Sequence, residues 1–167
     1  GILSSIALYL REAIGDEPQK YTGYLFAMRF SFKAMIGLML GWILVRTHPR
    51  MGLTVTTFLG LTGLVWGLLV SGKWYLLTFG LMGAGELYGI YYQNYLVSCS
   101  PTSMVRRNLA YASLLALPVT LGPIMFGLIA DNYGLRCSLE LAAVLLAVTV
   151  LLVQFTLPRW PSVRPSG

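Results

Sequence analysis

The sequence predicts an all-α membrane protein, a polytopic transmembrane helical bundle, and three observations lead to this fold class. Of the 167 residues, 56% are hydrophobic and only 11% are charged, less than half the charged share of an ordinary soluble domain. The mean hydropathy is +0.70. The apolar residues also fall in long runs, and a helix needs about 20 such residues to cross roughly 30 Å of hydrocarbon. Composition therefore excludes a water-soluble domain, and the 13% of aromatic residues exclude a disordered chain.

Five segments are long enough to span, and short polar breaks separate them. They cover approximately residues 21–45, 52–71, 74–98, 108–130 and 135–157. Backbone polar groups cannot remain unpaired in lipid, and the segments are too long and too uniformly apolar for barrel strands, so each is predicted to be an α-helix. Residues 1–14 are predicted to be the tail of a truncated sixth transmembrane helix, 15–157 the five-span bundle and 158–167 a cytoplasmic tail.

The distribution of basic residues predicts the orientation in the membrane. Alternating spans place the loops 46–51 and 99–107 and the C-terminal tail on one side, which carries arginines and no acid: Arg46, Arg50, Arg106, Arg107, Arg159 and Arg164. The basic residues of the opposite side are diluted by acids. Because basic residues accumulate in cytoplasmic loops, we expect a plasma (inner) membrane protein with its C-terminus in the cytoplasm. The same rule explains the net charge of +6, so nucleic acid is not expected as a partner.

Residue types that metal and catalytic sites require are scarce. The chain has one histidine and two cysteines, Cys99 and Cys137, without metal-ligand spacing, so no zinc site is expected. The two cysteines lie on opposite sides of the predicted bundle and so cannot form a disulfide. The sequence shows no Ser/His/Asp arrangement and no HExxH motif. We therefore expect neither enzyme activity nor a cofactor.

Charged residues lie within the predicted spans, where each one is costly. Arg29 and Lys33 are four residues apart and share a helix face, and Lys33 lies near the middle of its span. Glu86 lies near the middle of 74–98, so the opposite charges are at similar depth. They predict either a binding or ion-coupling site at the midplane or a buried structural ion pair. Glu140 lies close to one end of its span and is predicted to reach the interface.

Span 74–98 is the most polar of the five, and such a helix is predicted to face water or a ligand. Its candidates for stacking on a solute or bonding to it are Tyr88, Tyr91, Tyr92 and Asn94. One helix face cannot hold all four of them. The spans 52–71 and 135–157 consist almost entirely of small and aliphatic residues and are predicted to face lipid.

Proline and glycine residues predict bends in one span and close contacts between helices in others. Pro118, Gly122 and Pro123 lie inside 108–130, where proline removes a backbone hydrogen bond and bends the helix into either a gating hinge or a static kink. Glycines four residues apart, as at Gly63/Gly67 and Gly85/Gly89, let helices approach closely. We interpret these pairs as packing within one bundle, so a monomer is expected.

The order of the spans and two motifs resemble the C-terminal half of a major facilitator superfamily transporter, from the end of its seventh helix to its twelfth. The resemblance covers essentially the whole chain. The loop after the first span is similar to the family's cytoplasmic signature and retains Gly41, Arg46 and Arg50. It departs from the signature at Val45, where the family usually has Asp, and at His48, where it usually has Gly.

The second motif, Leu121-Gly122-Pro123 followed by residues 127–136, looks like the family's pattern across the eleventh and twelfth helices. Residues 127–136 alone also resemble the cytoplasmic signature, and that match would invert the topology. The charge distribution and the order of the spans favour the orientation given above.

The resemblance implies a secondary active transporter that moves a small solute by alternating access, with the solute near the midplane between this bundle and an N-terminal half. Arg29 and Lys33 would bind an anionic group of the solute or hold the cavity together through Glu86, the candidate for proton coupling. The expected partners are the solute, the lipid bilayer and the N-terminal half of the same transporter. The residues leave open a non-transporting membrane binding or scaffold protein and an integral-membrane lipid enzyme.

Overall fold

The computed structural model describes residues 21–159, which form helices and turns without a strand, as the sequence predicts. The α-helices of this part are α1 Thr22–Arg46, α2 Pro49–Leu69, α3 Leu77–Gly85, α4 Tyr88–Cys99, α5 Val105–Ala116, α6 Gly122–Tyr133 and α7 Leu135–Thr156. Shorter 3-10 helices cover Gly72–Leu76, Thr102–Met104 and Leu117–Leu121. The predicted helix tail over 1–14 and most of the predicted tail 158–167 lie outside the described residues.

Within the described residues, 4 helical stretches are long and apolar enough to cross a membrane: Thr22–Arg46, Pro49–Leu69, Thr102–Tyr133 and Leu135–Thr156. They match four of the predicted spans to within a few residues and indicate a membrane protein. α2 begins at Pro49, earlier than predicted, because the fixed φ of proline suits the first position of a helix.

The third predicted span, 74–98, is helical but is not one continuous α-helix. It is divided into the 3-10 helix Gly72–Leu76, α3 and α4. Between α3 and α4 the backbone tightens, with the amide of Leu87 donating to the carbonyl of Ala84 at 3.2 Å and that of Gly89 to the carbonyl of Glu86 at 3.3 Å. Glycine lowers helix stability by about 1 kcal/mol per residue, and glycine recurs through α3 up to its last residue, Gly85. The segment is therefore helical along its length, as predicted, but it departs from the regular α-helix at Gly72–Leu76 and at Glu86 and Leu87.

Glycines place α3 in very close contact with both of its neighbours. A Cβ added at Gly83 would lie 2.5 Å from the backbone oxygen of Arg29 on α1. A Cβ added at Gly85 would lie 2.7 Å from the Cα of Gly60 on α2. The backbones thus cross where only a residue without a side chain fits.

α2 is a central helix, which corrects the prediction that span 52–71 faces lipid. It packs against α3, α4 and α7, and one side of it is buried. The buried side consists mainly of small residues: Gly52, Thr56, Thr57, Gly60, Gly63 and Gly67. For α7 the prediction is half right, because the helix exposes much of its surface but packs on α2 and buries Leu139, Ala142 and Val153.

The stretch Thr102–Tyr133 lies at the edge of the bundle, and none of the described side chains of α5 and α6 is buried. Near one end Asn108 donates to the hydroxyl of Ser100 at 2.9 Å. Near the other, the hydroxyl of Ser138 donates to the carbonyl of Phe126 at 3.0 Å. The 3-10 helix Leu117–Leu121 interrupts the middle at the predicted proline position. The role of Pro118, Gly122 and Pro123 as a hinge remains a prediction.

Candidate functional site

The three charged residues of the predicted midplane site meet in the structure. Arg29 on α1 donates through Nε to Oε2 of Glu86 at 3.2 Å and through Nη2 to Oε1. Lys33, one helical turn further along α1, donates to the same Oε2 at 3.3 Å. We call Arg29, Lys33 and Glu86 the ion cluster.

The ion cluster is neither sealed in a core nor freely exposed. The side chains of Arg29, Lys33 and Glu86 are 29%, 33% and 24% exposed. Two cations share one carboxylate, so the cluster carries a net charge of +1. The ammonium of Lys33 has three N–H donors and directs one at Glu86, so two lack a partner among the described residues.

The position of the cluster follows from the break between α3 and α4 in the third predicted span. Glu86 is the residue immediately after α3, where the helix changes to tighter hydrogen bonds before α4 begins. Gly83, one turn earlier, lets α3 approach α1 so closely that Glu86 reaches both cations. The glycine pattern and the ion cluster are therefore parts of one local arrangement.

The tyrosines of α4 divide between two environments. The rings of Tyr88 and Tyr92 are half-buried and stacked, with centroids 5.9 Å apart and planes at 16°. Tyr91 is buried in the core against Leu40 and Leu53 and packs on α2, which argues against its predicted contact with a solute. Asn94 is exposed.

A cavity of about 610 Å³ lies beside Glu86, between α2, the α3–α4 break, the 3-10 helix Leu117–Leu121 and α7. It is lined by Thr56, Thr57, Gly60, Met82, Gly85, Glu86, Tyr88, Gly89, Val119, Leu146 and Thr149. The sequence predicts Glu86 and Tyr88 near a binding site, but it does not predict the residues from α2 and α7. The signal for α2 is its alternation of glycines and threonines, which is equally typical of plain helix packing.

The residues of the predicted loop signature do not form one site. Arg50 donates through Nη1 to the carbonyl of Leu157 at 2.7 Å and to that of Gln154 at 3.3 Å, so it holds the end of α7. Arg46 lies over the ring of Trp42 at 4.1 Å from its centroid. A Cβ at Gly41 would meet open space.

No family model, curated protein or solved structure matches the chain. The resemblance to the major facilitator superfamily therefore remains a prediction from the motifs and the order of the spans.

Proposed function

We propose that this chain is part of a secondary active transporter that moves a small solute across a membrane by alternating access. The ion cluster at the interruption of a transmembrane segment carries the proposal. Placing charges in lipid is costly, and pairing them gives little net stability, so such groups usually serve a pathway. A short stretch of tighter hydrogen bonds in the middle of a helix also often marks a functional position.

The charges suggest how a solute binds. The cluster has an excess of one positive charge, and Lys33 has unused donors among the described residues, so an anionic group on the solute can compete with Glu86 for the two cations. Once its partners are taken by the solute, Glu86 would lose both ion pairs, and the contact between α1 and the α3–α4 break would be released. This loss is the step at which we place the proposed coupling to proton movement.

The proposal includes a membrane setting and partners. The chain would lie in a plasma (inner) membrane with its C-terminus in the cytoplasm. The loops on the same side of the membrane as the C-terminus carry arginines, including Arg46, Arg50, Arg106 and Arg107, and no acidic residue, as is typical of cytoplasmic loops. Its exposed apolar surface would contact lipid and an N-terminal half of the same transporter.

Efflux from loaded proteoliposomes tests this function while the solute is still unidentified. The full-length protein, including the N-terminal half that the proposal requires, is reconstituted in vesicles filled with a mixture of amino acids, sugars, organic acids and nucleosides, and the components released are measured by mass spectrometry. We expect one class to leave faster than from protein-free vesicles. Glu86→Gln and Lys33→Ala should abolish this efflux, and Glu140→Gln, an acid in an exposed pair with Arg136, should not. Efflux of no component, or equal efflux in all variants, would overturn the proposal.

A further inference from the structure

We propose that the cavity of about 610 Å³ is a binding site for a small, uncharged, amphipathic molecule with an apolar body and one hydroxyl-type group. Its volume lies within the range of about 300–1,000 Å³ that accommodates drug-sized ligands. This inference does not depend on the proposed transport function. The cavity lies on the side of Glu86 that faces α2 and α7, whereas the ion pairs join Glu86 to α1.

The walls of the cavity favour an apolar body. Met82, Leu146 and Val119 supply aliphatic and thioether surface from three different elements, and Tyr88 adds an aromatic residue to the wall. Gly89 leaves room, since a Cβ there would meet nothing within 4 Å.

The polar groups of the cavity match a single hydroxyl. Thr57 and Thr149 donate their protons to carbonyls of their own helices, at 2.7 Å and 2.8 Å, so each offers only acceptor lone pairs to a ligand. The hydroxyl of Tyr88 has no hydrogen-bond partner among the described residues and remains available as a donor. A ligand hydroxyl can therefore donate to Thr57 or Thr149, and the proposal assigns Tyr88 as the donor to its oxygen.

The arrangement of charges disfavours a charged ligand. Arg29 and Lys33 do not line the cavity, and both donate to Glu86, the one charged residue among the described residues of its wall. An ionised ligand in the cavity would therefore reach neither cation directly and would meet a carboxylate already held by both of them, and a desolvated charge without a partner is strongly unfavourable.

The bilayer supplies a route to the cavity for such molecules. Val119 forms part of the wall, yet the residue is 73% exposed, and the helices on either side of it, α5 and α6, bury none of their described residues. A neutral molecule dissolved in the lipid can therefore reach the cavity from the side, next to the 3-10 helix Leu117–Leu121.

Protection of an introduced cysteine tests the site. In the full chain with Cys99→Ala and Cys137→Ala, a reporter is placed in the cavity as Gly89→Cys or, on the facing helix, as Thr149→Cys. Gly41→Cys, on the exposed side of α1 where a Cβ also meets open space, is the matched control. Labelling by N-phenylmaleimide in nanodiscs at pH 7 is timed with and without 1-naphthol.

Mass action predicts that 1-naphthol at about ten times its dissociation constant slows labelling of the cavity reporters roughly tenfold. Labelling of Gly41→Cys should change little, and 1-naphthalenesulfonate, with the same rings and a permanent negative charge, should protect neither position. Equal slowing at all positions would mean simple partition into lipid and would overturn the proposal. Protection by the sulfonate as strong as that by the naphthol would overturn the assignment of an uncharged ligand. Either result leaves the efflux experiment unaffected.

Discussion

At the residue scale, the stability of the ion cluster depends on Glu86, because two cations are held by one carboxylate. Glu86→Gln leaves Arg29 and Lys33 near each other without a counter-charge. Breaking a buried pair costs about 3–5 kcal/mol, and partial exposure of these side chains reduces this to about 1–3 kcal/mol. We therefore expect Glu86→Gln to have a lower Tm than the unmodified chain in detergent, with unfolding measured by tryptophan fluorescence.

Glu140 provides the control for this measurement. It accepts a hydrogen bond from Arg136 at 3.1 Å in an exposed pair within one helix. Such pairs contribute about 0.3–0.5 kcal/mol, so Glu140→Gln should hardly change the Tm. Equal shifts in the two variants would show that the ion cluster contributes no more than a surface pair.

Arg50 has a structural role that its position in a loop motif does not reveal. The motif predicts a signature residue, yet the side chain binds the last carbonyls of α7, more than 100 positions away along the chain. Hydrogen bonds from a charged donor contribute about 1.5–3 kcal/mol. Arg50→Ala should therefore increase amide hydrogen exchange in the last turn of α7. Arg46→Ala, which removes only an exposed stacking contact with Trp42, should leave that exchange unchanged.

At the element scale, close crossing of helices explains why the prediction for α2 is wrong. A span of glycine, threonine and aliphatic residues is equally compatible with lipid and with a tightly packed interior, because the hydrophobicity of the two environments is similar. The spacing of the glycines is what distinguishes a tightly packed helix from a lipid-facing one here. Gly63 faces Leu81 and Met82, and Gly60 faces Gly85, so these small residues are the contact surface for α3.

The close contact between α2 and α3 predicts different changes in Tm for alanine substitutions at two glycines that are four residues apart. Gly85→Ala places a methyl group 2.7 Å from the Cα of Gly60, so the backbones must separate, at about 1–3 kcal/mol. Gly89→Ala meets open space and gains up to about 1 kcal/mol of helix propensity. The Tm should fall in the first variant and stay equal or rise in the second. A rise in both would show that the crossing is looser than this geometry.

At the scale of the whole molecule, the predictable part of the fold is the part governed by length and hydropathy. The spans beginning near 22, 49, 102 and 135 follow from apolar runs that match the bilayer, and the meeting of Glu86 with Lys33 follows from equal depth on neighbouring helices. The cavity is not predictable, because it depends on which faces of α2 and α7 meet the α3–α4 break. The burial of Tyr91 likewise depends on the rotation of α4, and no periodic signal in that span fixes it.

The number of membrane crossings depends on the divided segment. The 3-10 helix Gly72–Leu76, α3 and α4 contain 5, 9 and 12 residues, which give roughly 40 Å of helix and exceed the roughly 30 Å of hydrocarbon. We therefore expect this segment to cross. Ser71 would then lie on the same side as Cys137, and Cys99 on the opposite side.

Thiol labelling from one side of the membrane measures this topology with little change to the chain. Three variants carry a single cysteine each: native Cys99, native Cys137, or Ser71→Cys, whose position is exposed. In sealed vesicles of uniform orientation, a charged impermeant maleimide should label either both Ser71→Cys and Cys137 but not Cys99, or Cys99 but neither of the other two. Permeabilised vesicles show that each thiol is reactive, which matters most for half-buried Cys99. If Ser71→Cys reacts like Cys99 instead, the divided segment does not cross, and Glu86 is not at the midplane.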